Sequence, residues 1–183
     1  MNYMVRSYTD KQLLDRVKQL PNFTYIPQYV WILGVRSNED LTDQYDDKFY
    51  IFKGDQFLFV TSGTTNKGLK GSAVMLADMW HYDVYKYGLH RQKMKALRQI
   101  KSIPYTRDFD NDGKTDVVGR IFTDIIYMNF HGSTYNEGSA NISPKIGGWS
   151  EGCQVVQKNT DYEKIIKLCK NQSSVTYCLI NEF

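Results

Sequence analysis

Residues 48–61, KFYIFKGDQFLFVT, are two aromatic, apolar runs on either side of Gly54-Asp55. Rings and branched side chains fit a pleated, half-buried surface, and a Gly-Asp pair suits a two-residue turn, so the stretch predicts a β-hairpin of 48–53 and 56–61. More strands are predicted on both sides of it. Residues 29–35 form an apolar run, 82–87 alternate, and so do parts of 100–105. Residues 119–130 predict one long strand ending at Asn129-Phe130-His131-Gly132, and 174–180 a closing strand.

Two helices frame these strands. Thr9-x-x-Gln12 is a capping-box signature, followed by Leu13, Leu14, Val17 and Leu20 on one face, with Pro21 as the stop. Thr160-x-x-Glu163 predicts a cap for a second helix, with Tyr162, Ile165, Ile166 and Cys169 turned inward. The fold class expected is mainly β and largely antiparallel, with peripheral helices near both ends. The whole of 1–183 forms one domain, in which 1–28 is a helical N-terminal extension.

Composition supports a packed core. The chain has 183 residues, 42% hydrophobic and 23% charged, with 14 Tyr and 9 Phe. Its net charge of +3 is too balanced to argue for nucleic acid. The densest basic stretch, 90–101, reads as a solvated face. The first residues lack the apolar core of a signal peptide, and no later run is long enough to span a membrane. The expected product is therefore a soluble chain made in the cytoplasm, delivered to the cell wall or carried in a virion by another route.

The chemistry concentrates in residues 125–156, IIYMNFHGSTYNEGSANISPKIGGWSEGCQVV. A histidine ends a strand, a Gly-rich polar loop follows, and Cys153 stands among Ser150, Glu151 and Gly152. A thiol needs a nearby base or positive dipole to become nucleophilic, and His131 is the candidate. A strand terminus would hold that ring firmly while exposing it at a rim. Gly152 would let the backbone approach a carbonyl closely, and the N–H groups of Gly152 and Cys153 would form an oxyanion hole. Cys169 and Cys178, in apolar surroundings, read as small buried hydrophobes. Three cysteines make no disulfide framework.

His-Gly, a loop, then Ser-x-Gly-Cys resembles the signature of the L,D-transpeptidases. Over 29–183 the chain also resembles proteins of phages and prophages, through LGVRS, YDDKFYIF, YGLHR, ALRQ, YTRDFDNDGKTD and GGWSEGCQVV. The resemblance implies an L,D-transpeptidase-like β-sandwich acting on peptidoglycan stem peptides. It makes Cys153 the nucleophile and His131 the base, with the Gly132 carbonyl orienting the imidazole and Gly152 framing the nucleophile. Ser150, Trp149 and His90 are the expected substrate contacts. The match departs at Glu151, where the motif has its own histidine, and at Val155, where Arg or Asn is usual. The loop before Ser150 is also longer than in that family. Both hydrolysis and amine transfer are compatible with such a thioester enzyme. The rival readings are a non-catalytic phage virion or host-interaction protein that keeps the fold, with phage structural partners, and a cysteine peptidase acting on a non-wall protein.

Asp108, Asp110, Asp112 and Asp116, with Gly113 between, match the alternating carboxylates of a calcium loop, although an EF-hand would need Glu where Gly119 stands. Any such calcium is expected to be structural, and catalysis needs no cofactor. His81 reads as a packed residue. No Cys/His spacing fits zinc, and residues 63–71 lack the ending of a phosphate-binding loop.

Overall fold

Strand β1 (Val30–Arg36) is buried along its entire length, which requires cover on both faces. Ile32 turns into the main core. Trp31, Leu33 and Val35 turn the other way, toward Leu13, Val17 and Leu20 of helix α1 (Asp10–Lys18) and the residues that follow it. The same alternation recurs in β2 (Asp47–Lys53), with Phe49 and Ile51 inward and Tyr50 and Phe52 toward the helix side. The computed structural model describes residues 4–39, 41–67, 71–107 and 120–183.

The remaining strands are β3 (Gln56–Thr64), β4 (Ala73–Met75), β5 (Met79–His90), β6 (Met94–Gln99), β7 (Ile103–Arg107), β8 (Phe122–Asp124), β9 (Phe130–Gly132), β10 (Gln154–Val156) and β11 (Val175–Asn181). Eight of them close a barrel in the order β1-β11-β5-β6-β9-β10-β3-β2, and β4-β7-β8 form a small separate sheet. Helix α2 (Asn159–Cys169) turns Tyr162, Ile165, Ile166 and Cys169 into the same core as the inward barrel residues. No described helix is long and apolar enough to cross a membrane.

The mainly β class and the two helices agree with the sequence reading, as do the hairpin around Gly54-Asp55 and the Thr9 capping box. The pairing is largely antiparallel, as expected, with two parallel pairs, β1 with β11 and β9 with β10. In the basic stretch 90–101, a turn and a barrel strand, Arg91, Lys93, Arg98 and Lys101 are exposed, as expected of a solvated face, while Met94, Ala96, Leu97 and Gln99 are buried.

The expected strand over 119–130 is interrupted within its described part. Between β8 and β9 the Gln99 carboxamide replaces a neighbouring strand, accepting from the N–H groups of Ile126 (3.2 Å) and Met128 (2.9 Å) and donating to the Asp124 carbonyl (3.0 Å). Thr160 lies inside α2 rather than capping it. The helix begins at Asn159, and the Glu163 carboxylate instead accepts from the Asn159 amide (2.9 Å) and the Gly138 N–H (2.6 Å). Cys169 and Cys178 are buried in the two cores, as expected.

Candidate active site

The parallel register of β9 and β10 pairs Val155 with His131. Side chains alternate along a strand, so Cys153, two residues before Val155, falls on the face that carries His131. The Cys153 sulfur and one ring nitrogen each from His131 and His90 lie within 4.8 Å of one another. The long loop between β9 and β10 thus closes on itself and joins its two ends.

His131 is held from both sides. Its Nδ1–H donates to the Gly132 carbonyl at 2.8 Å, the contact expected of that glycine. A carbonyl can only accept, so the proton sits on Nδ1 and the Nε2 lone pair is free. Nε2 is buried and has no hydrogen-bond partner among the described residues. Gly132 must lack a side chain, because a Cβ there would meet the Tyr162 ring at 2.6 Å. The expected rim exposure of His131 is corrected: the residue is fully buried.

His90 lies over that ring, with centroids 4.3 Å apart. Its tautomer is also determined. The Gln99 N–H donates to Asn129 Oδ1 (2.9 Å), which turns the Asn129 NH2 group toward His90 Nδ1 at 3.0 Å. Nδ1 therefore accepts, and the His90 proton sits on Nε2. This arrangement bears on metal binding. A Cys-His-His set would suit zinc in ligand type, but the Asn129 donor occupies one His90 lone pair and the proton blocks the other nitrogen. Among the described residues Cys153 and His131 Nε2 remain, too few for a closed structural site.

Burial dominates the titration of the cluster. It lowers His131 to about 3 against the favourable Gly132 contact, and the neighbouring His90 and Arg91 disfavour its protonation further. Burial also lowers His90, with Arg91 adding to the effect. The Cys153 thiol is pushed up to about 11 by burial, opposed by the Asn129 N–H beside the sulfur and by Arg91, with Glu151 raising it. The thiol faces the Tyr127 carbonyl at 3.7 Å, an acceptor that favours the protonated form. The nearness of His131 therefore does not lower the thiol pKa at rest. The resting pair is a neutral thiol beside a neutral imidazole.

The loop that presents Cys153 is fixed by Ser150. This buried hydroxyl accepts the Gly152 N–H (3.0 Å) and donates to the Cys153 carbonyl (2.9 Å). The Gly152 N–H expected in an oxyanion hole is thus already committed, and Ser150 braces the loop from within. Gly152 has φ +134°, and a Cβ there would meet the Ala73 carbonyl at 2.6 Å. Val155 is buried beside Tyr45 and Ile146, next to Cys153. Trp149, in the 3-10 turn Gly147–Trp149, packs on Tyr135 at 4.9 Å.

Cys153, His90 and Trp149 open onto one cavity of about 580 Å³, which Glu151, Gly152 and Asn129 also line. Sequence reading missed Asn129 and Gln99, and the arginines that line this cavity. Asn129 was legible in part, since strand alternation puts it on the His131 face. Nothing local marks Gln99, which acts through a neighbouring strand. His81 is packed, its Nε2 3.3 Å from the Leu76 carbonyl. The calcium-type carboxylates Asp108, Asp110, Asp112 and Asp116 lie outside the described residues.

Comparison with protein-family models, with curated proteins and with solved structures found no match.

Proposed function

We propose that the protein is a cysteine-dependent acyl-transfer enzyme of the L,D-transpeptidase type, acting on peptidoglycan stem peptides. The observation that carries this reading is the pairing of the Cys153 thiol with a buried His131 whose free lone pair is fixed by the Gly132 carbonyl. This is the nucleophile, base and orienting group that the chemistry needs. The reading also assigns the β architecture to that family's sandwich fold.

In the reaction the Cys153 sulfur attacks the carbonyl carbon of a stem-peptide bond. Its proton passes to His131 Nε2 as the S–C bond forms, because both partners start neutral. The carbonyl oxygen takes the negative charge, with the Cys153 N–H as the backbone donor left to it. Collapse of the adduct breaks the C–N bond, and His131 returns the proton to the departing amine. The thioester then passes its acyl group to water or to a second amine, with His131 taking the incoming proton. Water makes the enzyme a peptidase and an amine makes it a transpeptidase. No dissociable cofactor takes part.

The raised thiol pKa and the departures at Glu151 and Val155 favour a second reading, a phage virion or host-interaction protein that keeps the fold without turnover. Incubation with purified sacculi, followed by mass analysis of the muropeptides, separates the two. New cross-links or shortened stems that vanish in Cys153→Ala support the enzyme. Identical muropeptides with and without wild-type protein exclude it.

A further inference from the structure

Three arginines line the cavity beside Cys153, each from a different element. Arg91 sits in the β5–β6 turn, closed by Lys93 N–H to the His90 carbonyl at 3.0 Å. Both central residues of that turn, Arg91 (φ +48°) and Gln92 (φ +57°), are left-handed, where Asn or Gly would be at ease. A strained Arg at the mouth of a cavity points to a use for its side chain.

Arg98, on β6, lies across Gly88 of β5. A Cβ at Gly88 would meet Arg98 Cδ at 2.8 Å, so the glycine makes room for this arginine stem. Arg107, at the end of β7, is anchored through Nη1 to the Gly71 carbonyl at 2.9 Å and lies over the Tyr105 ring. None of the three forms an ion pair among the described residues, and Glu151 is the carboxylate on the described wall of the cavity. Guanidinium groups gathered in a partly enclosed space raise the local concentration of anions and match carboxylates in shape.

We propose that this cavity selects substrates bearing a free carboxylate near the bond presented to Cys153, with Arg91, Arg98 and Arg107 as the selecting residues. The proposal refines the substrate class of the acyl-transfer reading and rests on Cys153 being the reacting group. A neutral, amidated substrate would lose this attraction, and Glu151 would weaken it by repulsion.

Iodoacetate and iodoacetamide test it without turnover, since they differ by one carboxylate and both alkylate thiols. Rates at Cys153 would be resolved by peptide mass at pH 9 and compared with the same cysteine in the urea-unfolded chain. The folded site should favour the anionic reagent by about tenfold relative to the unfolded reference at low salt, falling toward one at high salt. Arg91→Gln and Arg98→Gln should each remove part of the preference, Arg91→Lys should retain it, and Glu151→Gln should increase it. Arg91 and Arg98 are exposed, so these variants keep their fold. A preference at or below the unfolded value, no response to the arginine variants, or no reaction of Cys153 with either reagent overturns the proposal. Charge selection without muropeptide products would remove the stem-peptide reading and leave the anion pocket standing. Muropeptide products without charge selection would do the reverse.

Discussion

The His90 ring stacks on His131 with centroids 4.3 Å apart and planes 27° apart, so the imidazole that faces Cys153 is half of a pair. The two rings have opposite tautomers, each set by one neutral neighbour. Nitrogen-15 correlation spectra near neutral pH should show His131 protonated on Nδ1 and His90 on Nε2. Asn129→Leu removes the His90 acceptor contact and should mix that ring's tautomers, while His131 keeps its own through the Gly132 carbonyl. Identical spectra for the two rings would refute the assignment.

Stability should fall toward both ends of the pH scale. His131 and His81 are lowered to about 3 and about 4, chiefly by burial. Their unfolded counterparts take up protons near pH 6.5, so the unfolded chain binds more protons below that value. Stability should therefore drop from pH 6.5 down toward 4 by about 1.4 kcal/mol per pH unit for each histidine. The buried thiols and phenols act in the opposite direction. Cys153, Cys169, Cys178, Tyr85 and Tyr177 are all raised by burial, so above about pH 9 the unfolded chain loses protons first and stability falls again. Urea midpoints measured from pH 4 to 10 should give a dome, and His131→Gln should flatten its acid side. A midpoint constant from pH 7 to 4 would contradict buried neutral histidines.

What could be read from the sequence was local, and what could not was set by distant pairing. The hairpin around Gly54-Asp55 and the Thr9 cap each depend on a few neighbouring residues, and both appear where the pattern put them. His131 and Cys153 stood out as reactive types among Gly and polar residues, yet their adjacency comes from the parallel register of β9 on β10. No periodicity encodes that register. The broken strand before β9 is the sharpest case. Residues 119–130 have a strand-like composition, and it is the Gln99 side chain, on another strand, that captures the backbone there. The direction of the thiol shift was equally hidden, because burial is a property of the closed barrel.

Gly152→Ala should be far more damaging than its size suggests. The added methyl would press on the Ala73 carbonyl at a backbone angle that side chains avoid, and that carbonyl belongs to β4. The expected loss is about 2 kcal/mol or more, together with displacement of Cys153. Gly148→Ala is the control, since its Cβ meets nothing within 4 Å. Equal urea midpoints for the two variants would show that the Cys153 loop tolerates movement.

Arg91→Gly should separate stability from selection. Glycine adopts the left-handed turn without the steric penalty that an Arg meets, so the variant should gain about 1 kcal/mol in urea unfolding. It should also lose part of the preference for anionic thiol reagents. A variant less stable than wild type would mean that the arginine side chain supports the turn through contacts of its own.

The pH dependence of Cys153 alkylation distinguishes a general base from a preformed ion pair. With the thiol raised to about 11, alkylation of folded Cys153 should climb through pH 9 without a plateau, and near neutrality it should be slower than in the unfolded chain. His131→Leu keeps the buried space filled but removes the lone pair, so the climb should stay at high pH while any product from sacculi disappears. Cys169→Ala and Cys178→Ala should leave both the profile and the product intact, costing about 1–2 kcal/mol of packing in the two cores. A rate that levels off below pH 7 in wild type, and shifts to high pH in His131→Leu, would instead mean that sulfur and imidazole already share the proton as thiolate and imidazolium. The neutral-pair mechanism would then fall, because the thiol would no longer need substrate to surrender its proton.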